Sequence, residues 1–242
     1  MTTSIPTPNC IVIWLDPFIG QLKFNKQLKK GLGEQVDPEH VLPEEPSDKS
    51  NTNDLIQLEA YIDESFDEIP SNLKAFSDED QCLPYINECL ANNMKIFFVT
   101  SGRKGRIIHR QLIEKYSMLK QIYVFCALPD AHQDWMDDCS SHGIKCSVDV
   151  HHLNLLVRLL RDIAEYFLDE GEKKLGGNQP QAHSAMAYFT WAKLLLERAN
   201  KFAKEPDFSR LTHVESRITH VEDLIKQLNG NNDDCKPFES TR

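Results

Sequence analysis

The sequence predicts an α/β fold: a three-layer, five-stranded, mostly parallel sheet of the flavodoxin-like or receiver-like kind, continued by a C-terminal α-helical extension. Three observations carry that prediction. Apolar runs of strand length alternate with helix-period stretches five times over about 160 residues, the rhythm of a parallel sheet covered on both faces. The strongest runs, Ile11 to Leu15 and Ile96 to Val99, are continuously apolar rather than alternating, as strands buried on two sides must be. A chain of 242 residues also buries roughly 70% of its unfolded surface, enough for one core without metal or disulfide staples.

The first strand is Cys10 to Asp16 (CIVIWLD), closed by Pro17 and Gly20. A short helix is expected over Leu22 to Leu32, stopped by Gly31 and Gly33. Residues 34–70 hold four prolines and the polar tract Ser47 to Asn53, a composition that buries too little apolar surface to offset ordering, so this insertion is expected to be mobile. Within it, Leu55, Leu58, Ile62 and Phe66 fall at helical spacing and predict a short acidic helix.

Leu73 to Phe76 reads as the second strand, and Ser77-Asp-Glu-Asp supplies N-cap and first-turn residues for a helix through Leu90. Lys95 to Ser101 is the third strand, turned by Gly102 into a helix from about Lys104 to Tyr116. Gln121 to Cys126 is the fourth, ended by Pro129, and Ile144 to Val150 the fifth. A helix over Leu153 to Leu168 turns Leu156, Leu159, Leu160, Ile163 and Phe167 inward. Gly171, Gly176 and Gly177 are read as breaks. Gln181 to Lys204 is a helix with Ala185, Phe189, Ala192, Leu196 and Ala199 inward, and Pro206 ends it. Leu211, Val214, Ile218, Val221, Ile225 and Leu228 then repeat at spacings of 3 and 4, a short heptad segment over 211–228. With Leu211 at the first heptad position, Arg217 is placed to pair with Glu222 of a parallel partner, so homo-oligomerisation through this stripe stands beside packing onto the chain's own domain or onto a downstream segment. The expected domains are 9–170, the α/β domain with its acidic insertion; 171–230, a helical arm; and 231–242, a disordered tail.

Charge sharpens the functional reading. The formal net charge is −10, but twelve of the 37 acidic residues and one of the 27 basic residues, Lys49, lie between Glu34 and Pro70. The remainder is therefore nearly neutral. The overall sign opposes nonspecific binding of nucleic acid. No apolar stretch approaches the ~20 residues of a bilayer span, and the N-terminus lacks the pattern of a secretory leader. Seven scattered cysteines, an odd number, read as reduced thiols of a cytoplasmic protein.

In a doubly wound sheet, ligands collect past the carboxyl ends of the strands where the winding reverses, here between the first and third strands. Asp16, Thr100, Ser101 and Gly102 line that place. The turn continues into Arg103, Lys104 and Arg106, cations in the first turn of a helix whose dipole is already positive there, an arrangement that invites an anionic partner. Several chemistries lack their residues. No Walker or dinucleotide glycine pattern follows a strand. A phosphoacceptor receiver would need more carboxylates than Asp16 with Thr100, Ser101 and Asp149. In a PIN-like nuclease the metal-binding carboxylates would fall where Arg103 and Gly105 stand. Cys126 at a strand end has no His and Asp partners for nucleophilic catalysis and reads as a buried thiol. Cys139, His142 and Cys146 are spaced loosely like zinc ligands but lack a fourth, and neither a metal nor another cofactor is expected. The His151-His152 pair opens a helix on which neighbours face apart. Trp135 reads as a hydrophobe capping the sheet edge.

The motifs IVIWLD at 11–16, FSDEDQC at 76–82, IFFVTSG at 96–102 and IYVFC at 122–126, with Trp135, resemble the N-terminal α/β domain of large invertebrate multidomain proteins that also carry tetratricopeptide repeats or a mono-ADP-ribosyltransferase domain. The resemblance covers about residues 9 to 170, and AYFTWA at 187–192 is similar to the helix that follows. It implies an interaction or regulatory domain partnered by a downstream domain or another protein, and it transfers no catalytic residues. The expected function is a non-catalytic module binding an acidic partner at Asp16, Thr100, Ser101, Gly102, Arg103, Lys104 and Arg106. The alternatives are an enzyme using the Asp16/Ser101 crevice on a nucleotide or phosphate ligand, and an adaptor self-associating through 211–228.

Overall fold

The structure is a computed structural model that describes residues 8–16, 72–116, 119, 121–176 and 181–230. The acidic insertion, the helices expected within 22–32 and 55–66, and the tail at 231–242 lie outside the described residues. Contacts divide the chain into two compact units that meet between Leu159 and Leu160 in sequence.

The first unit is built on five parallel strands: β1 (Cys10–Leu15), β2 (Asn72–Phe76), β3 (Lys95–Ser101), β4 (Gln121–Phe125) and β5 (Lys145–Asp149), in the order β2-β1-β3-β4-β5. This is the flavodoxin-like order of a three-layer α/β fold, with its switch point between β1 and β3. β1 lies between β2 and β3 and is buried along its whole length, as its unbroken apolar sequence requires. The period-two alternation sends Ile11, Ile13, Leu15, Ile96, Phe98, Ile122 and Val124 to one face. On that face they pack with α1 (Glu79–Ala91), α2 (Gly102–Lys115) and α3 (Gln133–Ser141) through Cys82, Ile86, Ile108, Leu112, Trp135 and Met136. The opposite face, with Val12, Trp14, Phe97, Val99 and Tyr123, is equally buried.

Local chemistry sets the helix ends. Asp78 caps α1 by accepting from the Asp80 N–H at 2.6 Å. α2 begins at Gly102, two residues before the expected start, because Ser101 is its N-cap and accepts from the Lys104 N–H at 3.4 Å. α3 is not foreseen in the sequence. Its nine residues carry only Trp135, Met136 and Cys139 as apolar anchors, so its periodicity is too brief to separate it from a loop. Trp135 consequently lies in the core at 2% exposure, not over the sheet edge.

The helix after β5, α4 (His152–Leu175), runs seven residues past the expected Leu168. Gly171 is not a break but a buried helical residue where the Phe189 ring comes so close that a Cβ would sit 2.5 Å from Cε1. In the second unit the later part of α4 is joined by α5 (Ala182–Phe202) and α6 (Phe208–Gly230). Phe167, Tyr188 and Trp191 form an aromatic cluster with ring centroids 5.3 to 6.0 Å apart. All five residues expected to face inward on α5 are buried. The heptad stripe of α6 is engaged within the chain at Val214 and Val221, both 0% exposed, whereas Leu228 is 49% exposed. Arg217 pairs with Glu172 of α4 at 2.6 Å and lies over the Phe189 ring rather than awaiting a partner's Glu222. Among the described residues, no helix is long and apolar enough to cross a membrane.

Candidate functional site

β1 and β3 run side by side, Leu15 opposite Thr100, so their exits deliver Asp16 and Ser101 to the same edge of the sheet. The Asp16 N–H donates to the Phe76 carbonyl at 3.0 Å, which extends the β1–β2 ladder by one residue and fixes where the carboxylate leaves the strand. Asp16 is buried, at 7% exposure. Thr100 is wholly buried, with its methyl turned toward Gly105 on the helix-covered face and its hydroxyl on the Ser101 carbonyl at 3.3 Å. It supports the site from beneath. Ser101 is half-buried at the start of α2, and Gly102 is buried under the His132 ring, which leaves no room for a Cβ.

The three cations have different surroundings. Lys104 pairs with Glu79 at the start of α1, and this contact, more than any other, holds the Glu79 carboxyl below its ordinary range. Arg106 pairs with Asp134 at 2.8 Å and also donates to the Ala131 carbonyl, tying α2 to the turn before α3. Asp134 is held low chiefly by the Trp135 N–H, with Arg106 adding to it. Arg103 is exposed and makes no ion pair among the described residues. One and two turns further along the same face lie Ile107, 54% exposed, and the exposed Arg110. The sequence reading missed both the neutralising acids and this outward stripe. Glu79 and Asp134 stand 25 and 28 residues from the bases they pair with, and no local signal marks such pairs.

Neighbouring strand ends carry other groups. Asp149 closes β5 with its carboxylate buried and accepts from Arg158 of α4 at 2.9 and 3.4 Å. Burial pushes the Cys126 thiol up, which disfavours the thiolate a nucleophile would need. His142 Nδ1 lies 2.8 Å from the Asp138 carbonyl, while Cys139 is wholly buried and Cys146 half-buried. Among the described residues, no group of three His, Cys, Asp or Glu side chains could hold a metal ion.

Fold and site together define a flavodoxin-like α/β domain with a basic helix start at its switch point. No family model matches the sequence, and neither curated proteins nor solved structures yield a match.

Proposed function

We propose that the α/β unit is a non-catalytic interaction module that holds an acidic partner, another protein or a downstream domain, on the outer face of α2 beside the switch-point crevice. The observation that carries this reading is the stripe Arg103, Ile107 and Arg110, three exposed side chains at helical spacing with an apolar one between two guanidinium groups. Arg103 also sits in the first turn of α2, where free N–H groups and the helix dipole already favour negative charge. Lys104 and Arg106 are internally neutralised and serve mainly to brace α2. A partner of matching chemistry presents carboxylates on either side of an apolar side chain. The likeness to the N-terminal domains of multidomain proteins supports an interacting role.

The test is calorimetric titration of the full chain with a glutamate-rich helical peptide bearing one leucine, at low and physiological salt. Binding should weaken with salt, and the double reversal R103E/R110E should weaken it by about tenfold or more. Unchanged affinity would overturn the proposal. A second reading is favoured by the buried carboxylate of Asp16 at the crevice: an enzyme acting on a nucleotide or phosphate ligand. A thermal-shift screen with nucleotides, NAD and Mg²⁺ separates the two, since a ligand that binds the folded state raises Tm.

A further inference from the structure

In the second unit, α4 and α6 enclose a groove of about 340 Å³. Glu165, Asp169 and Glu172 recur on α4 at helical spacing and line one side of it, with Leu168 as an apolar floor at 7% exposure. Across from them α6 contributes Ser209, Arg210 and His213. The guanidinium among these is engaged elsewhere, since Arg210 pairs with Asp207 at 3.3 Å. Glu172 holds Arg217 at 2.6 Å, whereas the exposed Glu165 and Asp169 make no ion pair among the described residues. Carboxylates thus stand on either side of an apolar floor, the chemistry that complements Arg103, Ile107 and Arg110 on α2.

Residue spacing fixes a register between the two surfaces. Arg103 and Arg110 are seven residues apart, as are Glu165 and Glu172, so each pair of like charges spans about 10.5 Å of helix. With the two helices antiparallel and Ile107 opposite Leu168, Arg103 meets Glu172 and Arg110 meets Glu165. Arg106, half exposed beside Asp134, falls opposite Asp169. One turn past Arg110, the exposed Glu114 falls opposite Arg161. Every charge of α2 in this stretch meets its opposite. In the parallel alternative through the same apolar contact, Arg103, Arg110 and Glu114 face Ala164, Gly171 and Leu175, none of which carries a charge. The order of charges therefore selects the antiparallel arrangement.

Building on the reading of the α2 stripe as a docking surface, we infer that its occupant is the α4–α6 groove of a second copy of this chain. Ile107 of one copy enters the groove over Leu168, and the flanking guanidinium groups pair with Glu165 and Glu172. Because stripe and groove are different surfaces, the contact is heterologous. Each copy offers its stripe to one neighbour and its groove to another, which produces rings or open chains rather than a two-fold dimer. Exposed ion pairs each contribute little and a single isoleucine is covered, so the assembly is weak, reversible and sensitive to salt.

Sedimentation equilibrium of the full chain, run across a wide concentration range, tests this. At low salt the average mass should rise with concentration, and it should fall back toward the monomer at ~1 M salt, where charges are screened within about 3 Å. R110E and E165R should each weaken association by about tenfold or more, because like charges then face one another across the contact. Mixing these two variants, or combining them as R110E/E165R, should restore association to within about threefold of wild type, since opposite signs meet again. Both positions are exposed, so urea midpoints should match wild type. A wild-type chain that stays monomeric overturns the inference. So does association that E165R leaves unchanged, or that mixing the variants fails to restore. The peptide titration with R103E/R110E judges the stripe separately: peptide binding without self-association retains the docking surface and removes this occupant.

Discussion

Replacing Gly105 by alanine sets two effects of opposite sign against each other. Gly105 lies inside α2, where alanine is favoured over glycine by about 1 kcal/mol through helix propensity alone. The added Cβ, however, would stand 2.5 Å from Cη2 and 2.6 Å from Cζ2 of Trp135 and 3.2 Å from Cγ2 of Thr100. The indole is 2% exposed and Thr100 0% exposed, so neither yields without displacing the core beneath α2. Overpacking of this kind costs typically 1–3 kcal/mol, roughly, and close approach to a rigid ring belongs at the upper end. The expected net is a loss of about 1–2 kcal/mol, read as a lower urea midpoint with little change in slope. Intrinsic fluorescence from the core tryptophans follows the same transition. Gly176→Ala is the control, because its Cβ would meet only the Glu172 carbonyl at an ordinary 3.5 Å, and it should change stability by no more than about 0.5 kcal/mol. A Gly105→Ala protein as stable as wild type or more so would refute the tight seating of Trp135 on α2.

Three further outcomes follow from ion pairs and caps. Because Lys104 depresses the Glu79 carboxyl, the contact stabilises the fold above the ordinary carboxyl value of 4.5 and is lost as pH falls through the lowered value; Glu79→Gln should therefore narrow the stability difference between neutral and acidic pH, and an unaltered urea profile across that range would count against it. Arg158→Met strands the buried Asp149 carboxylate and should cost about 1–3 kcal/mol, while adding Asp149→Asn should recover part of the loss, which a chemical-denaturation double-mutant cycle measures. Asp207 accepts from the Arg210 N–H at 3.1 Å at the start of α6, so Asp207→Ala should lower stability by about 1 kcal/mol and reduce helical circular dichroism at high temperature.

Much of the architecture is legible because its determinants are local. The unbroken apolar letters of Ile11 to Leu15 and Ile96 to Val99 identify doubly buried strands, and the spacing of Ala185, Phe189, Ala192, Leu196 and Ala199 identifies the buried side of α5. Reading fails where a neighbour distant in sequence supplies the determinant. Gly171 reads as a helix break, but Phe189 fills the place a side chain would take, and α4 continues. Trp135 and the polar letters around it read as surface until Gly105 opens a space for the indole.

The candidate site follows the same division. The amino-acid sequence alone determines that a serine, a glycine and three cations begin a helix after a central strand, since capping and strand exit depend on a few adjacent residues. Tertiary structure alone decides which of those charges is paired with an acid. Glu79 and Asp134 arrive from other elements to occupy Lys104 and Arg106, leaving Arg103 with Ile107 and Arg110 as the exposed stripe. It likewise turns His142 onto the Asp138 carbonyl and buries Cys139. Sequence spacing sets which side chains share an element, but the free energy of a charge or a thiol depends on what the folded chain places within a few ångströms of it.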